Sequence, residues 1–334
     1  MKKEAIDTNS LAHTKWNCKY HIVFATKYRR KVFFEEKRLE IREIMRQLCQ
    51  WKGVEIIEGE VCPDHIHMLV SIPPKMSVRD MHEAMKKTKT VIIPTGVVEQ
   101  HGYHLPLSTD ILNSVMPTVL AGDRLNAVIA PSVNYCFSGG ELLGTVNVSP
   151  NTFGLYISEI VSEFVRMGFE NIIVLLGHAG TDNINALRNS LQMLLRRDKA
   201  LSQKITLSLV EAWNLSPTWL SGFSLEPEHD FHAGLMETAL MMYWAPELVG
   251  DEIVQDEEYY AKMMRTDQDW FEKRTKPLDS QFVIETVGQR DEIGVGVMGL
   301  PEQATKELGE KICNEIIDNL VSFVDKVEEH RKNK

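Results

Sequence analysis

The sequence has no apolar run long enough to cross a bilayer, so no membrane-spanning helix is expected. Cysteine is sparse, with five in 334 residues, at positions 18, 49, 62, 136 and 313. Their odd number and wide scatter exclude a disulfide framework, and they do not form a zinc-finger spacing. The polar start Met1-Lys-Lys-Glu-Ala lacks the apolar core of a secretory signal, so a cytoplasmic protein is expected. A long Gly/Ser/Pro linker is also missing; Ile72-Pro-Pro-Lys75 is the only obvious hinge. Positive charge is in deficit overall, at a net of −10. The deficit is uneven, because residues 1–76 hold 14 Lys and Arg against 10 Asp and Glu, whereas the remainder holds 23 against 37. A mildly basic module is joined to a strongly acidic one, and the acidic part is a poor partner for nucleic acid.

What is present is chemical. Val91-Ile-Ile-Pro-Thr-Gly-Val-Val98 reads as a short buried strand, and Glu99-Gln-His101-Gly-Tyr-His-Leu-Pro-Leu-Ser-Thr-Asp110 follows it directly. In an extended segment residues i and i+2 point the same way, so Glu99 and His101 can face one cavity as oxygen and nitrogen ligands. Asp110 also reads as a helix N-cap before the periodic run 111–120. A second apolar strand, Ile172-Ile-Val-Leu-Leu-Gly-His178, ends in a histidine at the edge where α/β sheets hold ligands. Glu237 sits in the otherwise apolar helix that follows His232, and a buried carboxylate needs a cation. Cys136 lies near these segments and reads as a small core residue rather than a pocket thiol.

These segments, together with Leu176-Gly-His178-Ala-Gly180, His232-Ala-Gly-Leu-Met-Glu237-Thr and Tyr135-Cys-Phe-Ser-Gly-Gly-Glu-Leu-Leu-Gly-Thr-Val146, resemble the creatininase family of metal-dependent amidohydrolases from about residue 77 to 334. The resemblance implies two divalent ions, zinc or manganese with iron as a third option. Glu99, Asp110 and His178 would hold one ion, and His101, Asp110 and Glu237 the other, with Asp110 shared. Such a pair activates a bridging water for attack on an amide carbonyl, and His232 would carry the proton to the departing nitrogen. A small-molecule amide substrate and a homo-oligomer, a hexamer by family resemblance, are likewise implied. Gly180 stands where creatinine-hydrolysing members resemble one another in carrying a glutamate, and Glu228 where they tend to carry a tryptophan. Amide, cyclic amide, formamide and short-peptide substrates are therefore expected ahead of creatinine.

The opening quarter reads differently. A strand at 20–26, an amphipathic helix at 35–51 and strands at 54–61 and 65–72 give the start of a ferredoxin-like α+β unit. His65 and His67 share one side of their strand. Lys15-Trp-Asn-Cys-Lys-Tyr-His-Ile-Val-Phe-Ala-Thr-Lys-Tyr-Arg-Arg-Lys31 and Cys62-Pro-Asp-His65-Ile-His67-Met-Leu-Val70 resemble the opening of the single-tyrosine HUH transposases of insertion sequences, over about residues 11–76. The resemblance implies that the two histidines hold a divalent ion against a scissile phosphate, and the basic run 27–31 would suit a DNA backbone. Recognisable transposase sequence ends near Pro74-Lys-Met-Ser77, short of the helix that carries the attacking tyrosine, so the resemblance implies a truncated, vestigial copy.

The expected architecture is therefore a transposase-like fragment at 1–76 and an α/β domain at 77–334 with a mainly parallel sheet flanked by helices. Its strands are expected at 91–98, 126–131, 171–176 and 205–211, its helices near 78–88, 110–121, 152–168, 181–196 and 232–244. A last helix is expected to begin at Pro301, with a frayed end from Lys326. Three functions compete: a metal-dependent hydrolase of C–N bonds, a DNA-processing protein using His65 and His67, and a scaffold whose metal site is structural.

Overall fold

The computed structural model describes residues 9–11, 14–16, 19–25, 30–51, 55–71, 78–225 and 228–333. Residues 27–29 of the basic run, the hinge at 72–75 and Cys18 lie outside the described residues. Contacts divide the chain into two units, Met1–Ala84 and Met85–Lys334.

In the first unit β1 (Asn9–Leu11) pairs with β2 (Thr14–Trp16). β3 (Lys19–Ala25), β4 (Glu55–Val61) and β5 (His65–Ser71) form an antiparallel sheet in the order β3-β5-β4, with α1 (Glu35–Trp51) between β3 and β4 in the chain. Strand alternation turns Val61, Ile66 and Met68 to one face, where Ile41 and Met45, one turn apart on α1, meet them with Phe33 and Ile56. This small core matches the expected strand, helix, strand, strand order.

The second unit is built on four parallel strands in the order β7-β6-β8-β9: β6 (Thr90–Thr95), β7 (Val128–Ile129), β8 (Asn171–Leu176) and β9 (Thr206–Glu211). Every residue of β6 and β8 is buried, as the unbroken apolar runs predict for central parallel strands. α2 (Val78–Lys87) precedes β6, and the crossovers are α3 (Thr109–Ala121), α4 (Pro150–Met167) and α5 (Thr181–Arg197), the last followed by the short α6 (Lys199–Lys204). α4 and α5 pack together, while α3, α8 (Leu235–Trp244) and α10 (Lys306–Lys332) form a second group that also touches β8. From β6 the chain moves to β7, and from β8 it moves the opposite way to β9. Their adjacent carboxyl ends therefore make the topological switch point of the sheet, where such folds bind ligands.

Several boundaries differ from expectation. Strand β6 stops at Thr95 rather than residue 98, its last pairing being a single parallel bridge between Thr95 and Val133 closed by Gly96 N–H on Val133 O. Helix α8 begins at Leu235 rather than 232, since Ala233 takes φ of 51° just before it. Pro301 opens a single 3-10 turn, and α10 starts only after Thr305, whose hydroxyl accepts from Leu308 N–H. The end of α10 is not frayed: it stays helical to Lys332, with Val327 and Glu328 buried. The Glu328 carboxylate accepts from the hydroxyls of Thr88 and Thr90 and from Lys89 N–H, fixing the helix end beneath the sheet. Two stretches for which no element was anticipated also carry structure: residues 212–231 hold α7 (Pro217–Gly222), and residues 245–300 hold α9 (Glu258–Thr266) and the antiparallel pair β10 (Glu272–Thr275) and β11 (Thr286–Gln289).

Candidate metal centre

Two glycines determine where the centre sits. A Cβ on Gly96 would lie 2.6 Å from Ile111 N, and one on Gly177 would lie 2.0 Å from Asp110 O. Their absence lets the first turn of α3 rest directly on the ends of β6 and β8. Asp110 is the second residue of that helix, buried at 2% exposure, and it does not act as the N-cap. Its Oδ1 faces His101 Nε2 at 3.4 Å, and its Oδ2 faces His178 Nδ1 at 3.2 Å.

Around Asp110 the remaining residues fall into two groups of three. Glu99, Asp110 and His178 bring ligand atoms within 4.8 Å of one another, and so do His101, Asp110 and Glu237. Glu99 Oε2 is 3.1 Å from His178 Nδ1, while Glu237 Oε2 is 3.5 Å from His101 Nε2. The structure thus brings together all five residues singled out as ligands, on β6's exit loop, β8's exit loop, α3 and α8. His101 Nδ1 lies 3.1 Å from Glu99 O, which fixes Nδ1 as the protonated nitrogen and turns the Nε2 lone pair to the carboxylates. His232 stands beside them, its ring centroid 4.2 Å from that of His101 and its Nδ1 3.9 Å from Glu99 Oε1. It also belongs to a potential ligand group with Glu99 and His101.

The electrostatics ask for cations. Burial disfavours charge on His101, but Asp110 and Glu237 reverse this and hold its pKa well above the usual range; Glu99 and Asp110 do the same for His178. Burial also opposes ionisation of Asp110 and Glu237, yet the facing histidines hold both carboxyls below the usual range. Three buried carboxylates in one cavity need compensating charge. Glu99 Oε2, His101 Nε2 and Asp110 Oδ2 make no hydrogen bond among the described residues. Oxygen and imidazole donors without partners, in two groups of three, fit two divalent ions of the zinc or manganese type.

Sequence reasoning missed the residues that hold these ligands. Ser138 Oγ donates to Glu99 Oε1 at 2.7 Å. Asn113 Nδ2 donates to Glu237 Oε1 at 3.1 Å, and Ala233 N–H donates to Glu237 Oε2 at 2.8 Å. Asp230 accepts from Leu235 N–H and Met236 N–H at the start of α8. His232 Nε2 is 2.9 Å from Gln100 O. Asn113 was legible in principle, because i,i+3 spacing from Asp110 puts both on one helix face; Ser138 and Asp230 carried no such signal.

An open cleft with a cavity volume of about 150 Å³ leads to the centre. Phe137, Phe223, Phe231 and Phe271 line it, with Arg274 and Gln289 from the β10–β11 pair and Gly180 beside His178. A Cβ on Gly180 would lie 2.4 Å from His178 Nε2. Glu228 does not line the cleft; it pairs with the buried Arg265. Cys136 is 1% exposed and burial pushes its thiol up to about 12, as a core cysteine rather than a pocket nucleophile.

Residues 74–324 match the family model described as creatininase, creatinine amidohydrolase. The chain belongs to the creatininase family. It is 24% identical over 184 residues to the creatinine amidohydrolase of Pseudomonas putida, covering 50% of this chain and 68% of that protein. To the mycofactocin precursor peptide peptidase of Mycolicibacterium smegmatis it is 27% identical over 262 residues, covering 75% and 91%. A solved structure described as "Creatininase Mn" superposes with a TM-score of 0.59 at 19% identity, over 76% of this chain and 97% of the other. A zinc form of a creatininase mutant superposes with a TM-score of 0.58 at 20% identity, over 76% and 96%. This creatininase-family chain carries a second resemblance: residues 14–102 match the IS200-like transposase model. Over 87 residues it is 56% identical to the transposase for insertion sequence element IS200 of Salmonella typhimurium, covering 26% of this chain. The chain spans 57% of that transposase's length. Among the described residues no helix is long and apolar enough to cross a membrane.

Proposed function

We propose that the chain hydrolyses C–N bonds of small amides at a dinuclear centre, with Glu99, Asp110 and His178 holding one divalent ion and His101, Asp110 and Glu237 the other. The observation that carries this reading is the split of Asp110, whose two oxygens face His101 and His178 separately. When bound, such ions supply Lewis acidity toward an amide carbonyl and acidify water at the site.

The protein's own part is positioning and proton transfer. With Nε2–H directed at Gln100 O, the His232 lone pair is on Nδ1, on the side of Glu99. Burial and the neighbouring His101 lower the His232 pKa, so its ring is neutral at pH 7 and can take a proton at Nδ1. Handing that proton to the departing amine completes the exchange. The four phenylalanines give the cleft an apolar wall against which a substrate is held away from bulk water.

Among substrates, other cyclic amides, formamides and short peptides are favoured over creatinine, because Gly180, which lines the cleft beside His178, brings no carboxylate to the place where creatinine-hydrolysing members resemble one another in carrying a glutamate. The peptidase likeness over 75% of the chain supports including short peptides. We further infer that the hydrolase domain begins near residue 77, in a cytoplasmic protein, and that copies associate.

Metal analysis of the full chain, paired with turnover on a panel of cyclic amides, formamides and dipeptides, tests the proposal. At least two equivalents of divalent ion are expected, with turnover abolished by chelation and by Asp110→Asn in a protein of unchanged circular dichroism. A metal-loaded protein inactive on the whole panel would leave only the scaffold reading. Light scattering on the full chain checks the oligomer, and a monomer would refute it.

A further inference from the structure

Gln100, Gln268 and Gln289 line the cleft, and two of them are held by their oxygens. Gln100 Oε1 accepts from Gly102 N–H at 2.9 Å, and Gln289 Oε1 accepts from Glu141 N–H at 2.7 Å. A backbone N–H can only donate, so each contact fixes the carbonyl end of its carboxamide and leaves the NH2 end to face elsewhere. Gln100 Nε2 lies 3.4 Å from His232 Nε2, but that nitrogen carries the hydrogen given to Gln100 O and has no lone pair to offer. Gln289 Nε2 meets no acceptor among the described residues. Gln268 differs, because its Nε2 is spent on the Thr181 hydroxyl at 3.0 Å. Both open amides are braced: Gly296 packs so close to Gln100 that a Cβ there would lie 2.9 Å from Nε2, and Gln289 stands in the β10–β11 ladder opposite Glu272.

Charge narrows what these donors can meet. Asp182, Asp269 and Glu272 line the same cleft, and Arg274, the one Lys or Arg side chain lining it among the described residues, is paired with Glu272 and Glu285. Burial, with Asp267 and Asp182 nearby, raises the Asp269 carboxyl, so further negative charge is disfavoured there. Two neutral donors beside acidic side chains and four phenylalanines suit uncharged carbonyl oxygens on an apolar chain.

We propose that Gln100 and Gln289 are specificity-determining donors, each taking a neutral carbonyl of the substrate other than the one attacked, so that the preferred substrate is an apolar peptide with blocked ends rather than a formamide or a lone cyclic amide. This rests on the hydrolase reading above, which puts the departing nitrogen at His232 and therefore the Gln100 amide beside the amine half of the substrate. A formamide of an alkylamine has no second carbonyl, and it leaves both NH2 groups without a partner once water is displaced. Unmet donors of this kind are what a site uses to reject the wrong substrate.

Calorimetric binding of a ketomethylene peptide analogue to the metal-loaded full chain tests this, because a CO–CH2 unit in place of the scissile amide cannot be hydrolysed. The probe is acetyl-Phe-Phe-amide with that replacement between the two residues, and its reference is the diphenyl ketone lacking the acetyl and terminal carboxamide groups. The parent is expected to bind the probe at least about tenfold tighter than the reference, as two hydrogen bonds of ordinary strength allow. Gln100→Glu and Gln289→Glu, which keep the oxygen and lose the donor, should each cut that preference at least about threefold, and Gln289→Met should act like Gln289→Glu. Gln268→Ala should keep the parent's preference. No preference in the parent, a preference untouched by both Glu variants, or an equal loss in Gln268→Ala would overturn the proposal. Binding is read without turnover, so a chain that prefers the probe but hydrolyses no amide refutes the hydrolase reading alone, and a chain that hydrolyses formamides without any such preference refutes the glutamine assignment alone.

Discussion

Asn113 on α3 donates a hydrogen bond to Glu237 on α8, with Nδ2 3.1 Å from Oε1. The same amide donates to Gly177 O at 3.2 Å, so one side chain ties two ligand-bearing elements together. Replacing Asn113 with Ala leaves a buried carboxylate oxygen short of a donor. Orienting partners of this kind typically carry about ten- to a hundredfold in metal affinity. Competition of the loaded protein with a chelator should show a loss of that size, and an unchanged affinity would remove Asn113 from the centre.

Asp230 governs the same ligand from the other side. Its carboxylate accepts from the first two N–H groups of α8, and burial raises it to about 6. Asp230→Ala should lower unfolding free energy by about 1–2 kcal/mol, the usual value of a helix cap. Because Glu237 sits in that same first turn, metal affinity should fall with it. Denaturant unfolding with and without metal separates the two effects; equal midpoints for parent and variant would contradict the capping role.

Gly180 is a steric statement about His178. Gly180→Ala should displace the imidazole, given the 2.4 Å approach of its Cβ to Nε2, and reduce the bound metal. Gly180→Glu should do the same and should not create creatinine turnover. Metal analysis and a creatinine assay of both variants check this, and a Glu variant that gains creatininase activity with full metal content would refute it.

The ligands were legible in the sequence because they end two unbroken apolar strands and interrupt one apolar helix. Glu99, His101 and His178 follow β6 and β8, where the parallel sheet leaves an open edge. Asp110 was ambiguous, since a carboxylate in a helix's first turn is a cap as often as a ligand, and only its packing on Gly96 and Gly177 decides the matter. The supports were illegible for a physical reason: Ser138 and Asp230 act through hydrogen bonds made from irregular segments, which leave no periodicity. β10 and β11 escaped notice because they are short, polar and largely exposed.

Acid should loosen the molecule at the opposite end of the sheet. Burial pushes the Glu328 carboxyl up, but hydrogen bonds from Thr90, Arg331, Lys89 N–H and Thr88 outweigh it and hold it down to about 2. A depressed carboxyl contributes stability that is complete above its unfolded pKa of 4.5 and is lost as pH falls from there through about 2. Glu328→Gln should therefore be less stable than the parent at pH 7 by on the order of 2–3 kcal/mol, and the gap should close toward pH 2. Urea midpoints across that range give the comparison; a gap independent of pH would exclude the carboxylate as its source.

Gly96 and Gly177 hold no proton, bind no ion and touch no substrate, yet any side chain at either would push the first turn of α3 off the strand ends. A survey of tolerated substitutions should find these two positions as intolerant as Asp110 itself. Unlike the ligands, they would not be rescued by a different metal. Their intolerance would be inherited from the shape of the fold, so relatives that change substrate, or even metal, remain bound by it.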